Sequence, residues 1–155
     1  KALEMLFARM DQSIGTAEKV QALRGYAEKV KMAKERFQAA IGHVRSLMLS
    51  GKVSEAFHDS LRFLEITGDV LMGWFHLWQM TLAHGKLEAL FNKAGAATVE
   101  SRNALIADNG EAAFYAGKVN SARYFIAKML PLAEASINSL MTEDYPGLEI
   151  NEESF

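Results

Sequence analysis

The sequence predicts an all-α protein: an antiparallel up-down helical bundle of three long helices with one or two short ones. Half of the 155 residues are hydrophobic, and they recur in steps of three and four, the spacing that keeps side chains on one side of a helix. The two prolines, Pro131 and Pro146, stand late in the chain, so neither interrupts the first two long helices. A chain of this length buries one core, and we expect a single helical-bundle domain over residues 1–155.

The first long helix is predicted by a stripe of side chains that is apolar with one exception. Its members are Val20, Leu23, Ala27, Val30, Lys34, Phe37, Ile41, Val44 and Met48. A short turn at Ser50-Gly51-Lys52 follows. Because helices of some thirty residues are about 45 Å long, so short a turn forces the next helix to pack antiparallel beside the first.

The second long helix has two apolar stripes. One comprises Phe57, Leu61, Leu64, Gly68, Leu71, Phe75, Trp78 and Leu82, and the other Phe63, Ile66, Val70, Trp74 and Leu77. A helix that is apolar on two sides is predicted to be central, and apolar surface beyond what one core needs indicates an interface. The uncharged run from Val70 to Ala83 is shorter than the twenty or so residues of a membrane span, so no transmembrane segment is expected.

The third long helix is predicted over residues 113–140. Its core line contains Val119, Ala122, Ile126, Met129, Ala133 and Leu140. Pro131 has no N–H for the carbonyl of Ala127, so this helix should kink there, or end and restart. Lys1 to Met10 and Thr98 to Ala107 are candidate short helices, and the tail over residues 143–155 is expected to be extended or frayed.

Lys34 is the charged residue in the first stripe. If the turn is centred between Gly51 and Lys52, residues whose numbers sum to about 103 lie level, which places Lys34 beside Asp69. A charge that faces a packed seam is costly unless paired, so we predict an ion pair of Lys34 with Asp69 or Glu65. The alternative is that Lys34 extends out of the seam edge into water.

Several function classes lack the residues they need. With no cysteine and no Gly-x-Ser-x-Gly motif, the usual nucleophiles are missing, and no glycine-rich phosphate loop occurs. Glu55 and His58 form one half of a di-iron arrangement without the other half. We therefore predict no catalytic, cofactor-binding or metal-binding residue in this chain.

Composition also bears on partners and compartment. The net charge of −2 gives no general attraction to nucleic acid. The absence of cysteine fits a reducing compartment, and the expected localisation is cytoplasmic.

The segment from Ala113 to Pro131 holds the candidate interface residues. Lys118 and Arg123 stand among aromatic residues that include Tyr124 and Phe125. Five positions apart on a helix, the two cations cannot form one binding fork, so each contacts a different neighbour or faces water. We predict that Lys118, Arg123, Tyr124 and Phe125 form a contact with another domain, through at least one of the two cations.

A family resemblance joins several of these motifs. They are Leu61-Arg62-Phe63-Leu64, Gly68, Gly73-Trp74, Trp78, Tyr115, Lys118, Ala122-Arg123-Tyr124-Phe125, Leu130-Pro131 and the final Glu152-Glu153-Ser154-Phe155. From about Ala17 to the terminus, the chain resembles the C-terminal accessory domain of bacterial acyl-CoA dehydrogenases.

The resemblance implies a parent enzyme that holds FAD and oxidises an acyl-CoA thioester to the 2,3-enoyl product. It also implies a homo-oligomeric parent that passes electrons to an electron-transfer flavoprotein. The catalytic glutamate and the flavin site of that family belong to domains that would precede Lys1, and no catalytic residue is transferred to this chain. Since the chain opens without methionine, we expect it to be the C-terminal part of a longer enzyme.

Two other functions stay open from the sequence. One is a free-standing helical module that binds a partner helix on the apolar face of the third helix. The other is a metal-dependent bundle enzyme, for which the single Glu55-x-x-His58 pair is weak support.

Overall fold

The computed structural model describes residues 1–154, and this part of the chain is helical with no strand, which confirms the all-α prediction. The helices are α1 (Ala2–Glu18), α2 (Arg24–Leu49), α3 (Val53–His58), α4 (Ser60–Ala94), α5 (Val99–Asp108), α6 (Gly110–Tyr124) and α7 (Leu130–Leu140). Short 3-10 turns at Gln21–Leu23, Pro146–Leu148 and Glu152–Ser154, and a π-helical turn at Phe125–Met129, complete the elements.

The bundle consists of α1, α2, α4 and the α6–α7 rod. Phe7 of α1 packs edge-on against Phe37 of α2, with ring centroids 6.3 Å apart, and Phe37 contacts Phe63 of α4 at 5.9 Å. The Phe37–Phe63 pair lies within one helical turn of the register predicted for the antiparallel α2–α4 hairpin. The glycine in the turn, Gly51, has a φ of 77°, a conformation that glycine adopts without steric cost.

The first helix is longer than the predicted segment from Lys1 to Met10. It continues to Glu18 and buries Met10, Ile14 and Ala17. These residues extend the three-four spacing that begins at Phe7. The bundle therefore has a full helix where only a short one was expected.

The two stripes of α4 have different environments. Ile66, Val70 and Leu77 are buried in the main core, whereas Leu61, Leu64 and Leu82 are exposed. The helix is central, as predicted, because it packs against α1, α2, α6 and α7. One of its stripes nevertheless points away from these neighbours.

The π-helical turn separates α6 from α7. The Leu130 N–H donates to the Phe125 carbonyl, five residues back, and Pro131 stands in the first turn of α7, where its missing N–H is not needed. The predicted interruption is thus present, and it begins before the proline. The extra residue of the π turn shifts the buried line from Met129 to Leu130, which is 1% exposed.

A second, smaller core lies at the end of α4. It joins Leu87, Phe91, Ala96 and Ala112. The chain reaches it through Gly95, which ends α4 with a φ of 66°. The helices around it are capped: Thr98 and Ser101 form a capping box at α5, and the Asn109 side chain accepts from the Ala112 N–H at 2.9 Å to begin α6.

Lys34 is buried and paired, as predicted, but the predicted partner was wrong. Its ammonium forms an ion pair with the carboxylate of Asp11 on α1, not with Asp69 or Glu65. The pKa of Asp69 is raised by burial and by the negative charge of Glu65, whereas a neighbouring ammonium would lower it. The partner was missed because Asp11 lies beyond the short helix that the sequence predicted at the N-terminus.

The tail is described up to residue 154, so Phe155 lies outside the described residues. Its two 3-10 turns follow a residue, Tyr145, whose ring packs edge-on against His58 with centroids 5.7 Å apart.

Candidate interdomain interface

Lys118 and Arg123 contact different neighbours. The Lys118 ammonium lies 5.3 Å from the centre of the Phe114 ring on the same helix. Arg123 Nε donates to the hydroxyl of Tyr26 on α2 at 3.1 Å, and its guanidinium also donates to Asn120 at 3.3 Å. Arg123 therefore ties α6 to α2 and still reaches the surface, since it is exposed.

Tyr124 and Phe125 are adjacent but point to different surroundings. Tyr124 is 64% exposed. Phe125 is half-buried, packs on the main core and stacks on His76 of α4 with ring centroids 4.7 Å apart. Of the two predicted aromatic residues, Tyr124 has its ring exposed to solvent, while Phe125 joins α4 to the π turn.

His76 of α4 lies near Lys118, one of the predicted contact residues, and its pKa responds to the charge of that lysine. Burial, and then the positive charge of Lys118, lowers its pKa below the ordinary 6.5. The Nδ1 atom of His76 is buried and has no hydrogen-bond partner. A neutral imidazole stacked on Phe125 is the form that these surroundings favour.

An exposed apolar stripe runs along α4. We call it the α4 outer stripe, and its residues are Leu61, Leu64, Gly68, Leu71, Phe75, Trp78, Leu82 and Gly85. The exposed fractions of its side chains include 70% for Leu61, 52% for Trp78 and 44% for Phe75. A monomer seldom leaves a continuous row of large apolar side chains in water.

A groove runs beside this stripe, between α4 and α1. Its volume is about 420 Å³ and its lining includes Trp74, Trp78, Ser13 and Arg9. The Trp74 indole N–H donates to the Ser13 hydroxyl at 2.9 Å, which holds the wall of the groove in place.

The groove does not fit FAD. Two phosphates need several cations or backbone N–H donors, as at a glycine-rich helix start, and Arg9 is the one charged side chain in this lining. A flavin would also need an enclosed apolar pocket.

A polar cluster lies at the other end of the bundle, around the short helix α3. The Tyr145 hydroxyl and His43 Nε2 are buried without hydrogen-bond partners, and both residues line a small cavity with Glu55 and Asp59. Burial and the charges of Glu143, Glu55 and Asp59 raise the pKa of Tyr145. Within residues 1–154, no three His, Asp or Glu side chains come together as a metal site.

Two of the residues that the structure brings to these sites were not predicted from the sequence. Tyr26 is the partner of Arg123, and Ser13 is the partner of Trp74. Each pairing joins residues more than sixty positions apart, and helical periodicity carries no information on such pairs.

No helix in the described part of the chain has the length and apolar character to cross a membrane.

Comparison with known protein families gives a match over most of the chain. The model of the family described as acetyl-CoA dehydrogenase C-terminal like matches residues 6–150, which is most of the chain. A search of curated proteins gives no match.

Proposed function

Because the chain belongs to the acetyl-CoA dehydrogenase C-terminal-like family, we propose that it is the C-terminal helical domain of an FAD-dependent acyl-CoA dehydrogenase. The parent enzyme would introduce the 2,3-double bond into acyl-CoA thioesters. The domain would pack against the preceding dehydrogenase domains, shape access to the acyl-CoA site and have no activity alone. The family match over residues 6–150 is the observation on which this rests.

The residues that line the groove beside Trp74 support the assignment of FAD binding to other domains. The groove beside Trp74 lacks the donors that FAD requires, so we assign flavin, thioester pocket and catalytic glutamate to the preceding domains. Electron transfer to an electron-transfer flavoprotein, a homo-oligomeric parent and a cytoplasmic location belong to the same proposal.

We further propose Lys118, Arg123, Tyr124 and Phe125 as the contact with the preceding domains. Tyr124 offers an exposed ring, and Arg123 is oriented by Tyr26 with donors that still reach solvent. A ring beside an oriented guanidinium is typical of interface hot spots. Phe125, through its stacking on His76, and Lys118, through its contact with Phe114, would help to hold Tyr124 and Arg123 in position.

The direct test is to purify this chain and the dehydrogenase region of its parent separately. We expect the chain to retain no flavin and to produce no enoyl thioester, and to bind the dehydrogenase region in titration calorimetry. Retention of stoichiometric FAD by the chain would overturn the proposal.

Two variants locate the contact. Tyr124→Ser and Arg123→Gln should each weaken binding by about thirtyfold, the loss of one hot-spot side chain. The matched controls are Leu49→Ser and Arg45→Gln, on exposed positions of α2, which should bind as the unmodified chain does. Equal losses in the controls would place the contact elsewhere.

A further inference from the structure

The α4 outer stripe has the spacing of a coiled-coil seam. Its positions, from Leu61 to Gly85, alternate in steps of three and four without a break. This is the 3.5-residue repeat of helices that pack along each other, and it is narrower than the face that a bundle core needs. At 1.5 Å per residue, the stripe extends over roughly 36 Å.

The two glycines of the stripe stand at positions that lie opposite large side chains when the stripe pairs with itself. In an antiparallel pair with its two-fold axis beside Gly73, Gly68 of one copy lies level with Trp78 of the other. In the same register Leu61 faces Gly85, Leu64 faces Leu82, and Leu71 faces Phe75. Nothing lies within 4 Å of the position that a β-carbon would take at Gly68 or Gly85, so each glycine leaves room for the large side chain opposite.

A parallel pair would lack this complementarity. It would place Trp78 against Trp78 and Gly68 against Gly68, which gives a clash and a void along one seam. It would also set the two Glu65 carboxylates side by side. The antiparallel pair separates them by roughly 24 Å along the axis and aligns the helix dipoles favourably.

The exposed area is sufficient for a specific contact. Five large side chains of the stripe are 44% to 70% exposed, so at about 200 Å² for a large side chain they offer on the order of 600 Å² per copy. Two copies would then bury on the order of 1,200 Å², which is within the range of specific interfaces.

The charges beside the stripe favour a protein partner over a lipid surface. Along the stripe the charged residues are Arg62, Glu65 and Asp69, and Lys86 follows directly, so basic residues stand only at its two ends. Helices that lie on anionic membranes have basic residues beside the apolar face.

We propose that the α4 outer stripe binds the same stripe of a second copy of this chain, as an antiparallel helix pair centred beside Gly73. This inference does not depend on the proposed function. It specifies a surface and a register.

The first test uses a substitution with opposite effects on the monomer and the dimer. Gly68→Gln fills the space that the second copy's Trp78 needs, but it replaces glycine in an exposed helix position with a better helix former. We expect sedimentation velocity to show a dimer for the unmodified chain and at least tenfold weaker association for Gly68→Gln, with no loss in thermal stability when both are measured at concentrations where the chain is monomeric. Gly42→Gln, on an exposed position of α2 with equal free space, should leave the dimer unchanged.

The second test uses cross-linking, since the chain has no cysteine of its own. Met72→Cys lies beside the proposed axis and should form a disulfide-linked dimer on mild oxidation. Leu61→Cys alone should not, but its mixture with Gly85→Cys should cross-link. Self-linking of Leu61→Cys would indicate a parallel pair and overturn the proposal. A chain that is monomeric throughout the accessible concentration range, or that binds phosphatidylcholine vesicles as a monomer, would also overturn it.

Discussion

Leu130 of α7 lies directly over Gly73 of α4. A β-carbon at position 73 would come within 2.9 Å of Leu130 Cδ1 and 3.1 Å of Cδ2, distances shorter than van der Waals contact. Leu130 is 1% exposed, so a β-carbon at position 73 would force its side chain to shift within the packed interior. The two helices meet here with no room for a β-carbon unless the Leu130 side chain moves.

Gly73→Ala should therefore destabilise the fold. Alanine gains about 1 kcal/mol of helix propensity over glycine, but overpacking of a buried leucine costs about 1 to 3 kcal/mol. We expect a net loss of about 1 kcal/mol in the free energy of unfolding, measured with urea. Gly117→Ala, on an exposed face of α6 with nothing within 4 Å, should instead gain about 0.5 to 1 kcal/mol. Equal shifts for both variants would contradict the close contact.

The ion pair of Lys34 with Asp11 predicts an asymmetric response to mutation. Asp11→Ala leaves a buried ammonium without its partner and should cost about 1 to 3 kcal/mol of stability. Lys34→Met keeps the volume and removes the charge, so it should cost less than Asp11→Ala. Chemical denaturation of the two variants measures the difference. A greater loss for Asp69→Ala than for Asp11→Ala would show that Asp69 is the true partner.

Arg102 should be the residue that holds α5 against α4. Its guanidinium donates two hydrogen bonds to Glu88, at 3.3 and 3.2 Å, and its centre lies 4.7 Å from the centre of the Phe91 ring. Lysine cannot reproduce this paired and stacked geometry, so Arg102→Lys should cost about 0.5 to 1 kcal/mol and speed amide exchange in α5.

The matched control for Arg102 is Arg62→Lys. Arg62 makes a single, exposed contact of 3.7 Å with Glu65, and its replacement should cost less than about 0.3 kcal/mol. If the α5 amides of Arg102→Lys exchange as slowly as those of the unmodified chain, Arg102 does not hold α5 against α4.

The lowered pKa of His76 predicts acid sensitivity. The folded state binds a proton on the His76 imidazole more weakly than the unfolded state does. The contribution of neutral His76 to the free energy of unfolding is therefore complete above pH 6.5, the ordinary pKa of histidine. It is lost as the pH falls from there through the folded pKa. His76→Phe should reduce the loss of stability over this interval, as thermal unfolding at several pH values would show.

Lys118→Met should raise the pKa of His76, because it removes the cation that lowers it. NMR titration of the imidazole measures this directly. Lys128→Met is the control, since Lys128 is not among the causes of the shift. A pKa of His76 above its ordinary value in the unmodified chain would be inconsistent with this environment.

Much of the fold could be predicted from the spacing of apolar residues, and the exceptions share a cause. The interruption near Pro131, the turn at Gly51 and the α2–α4 register follow from local chemistry or from equal rise along two helices. The partner of Lys34 and the partner of Arg123 could not be predicted. Each depends on which neighbouring helix lies opposite a given face.

The α4 helix shows the same division most clearly. Apolar periodicity is a property of a single helix, so it is enough to predict that α4 is long, apolar on two sides and central. The packing of the other helices selects the buried stripe: Ile66, Val70 and Leu77 face the core, and Leu61, Phe75 and Trp78 face outward. Both stripes are apolar enough for a core, and the choice between them depends on where α1, α2, α6 and α7 pack, which is set by the whole chain at once.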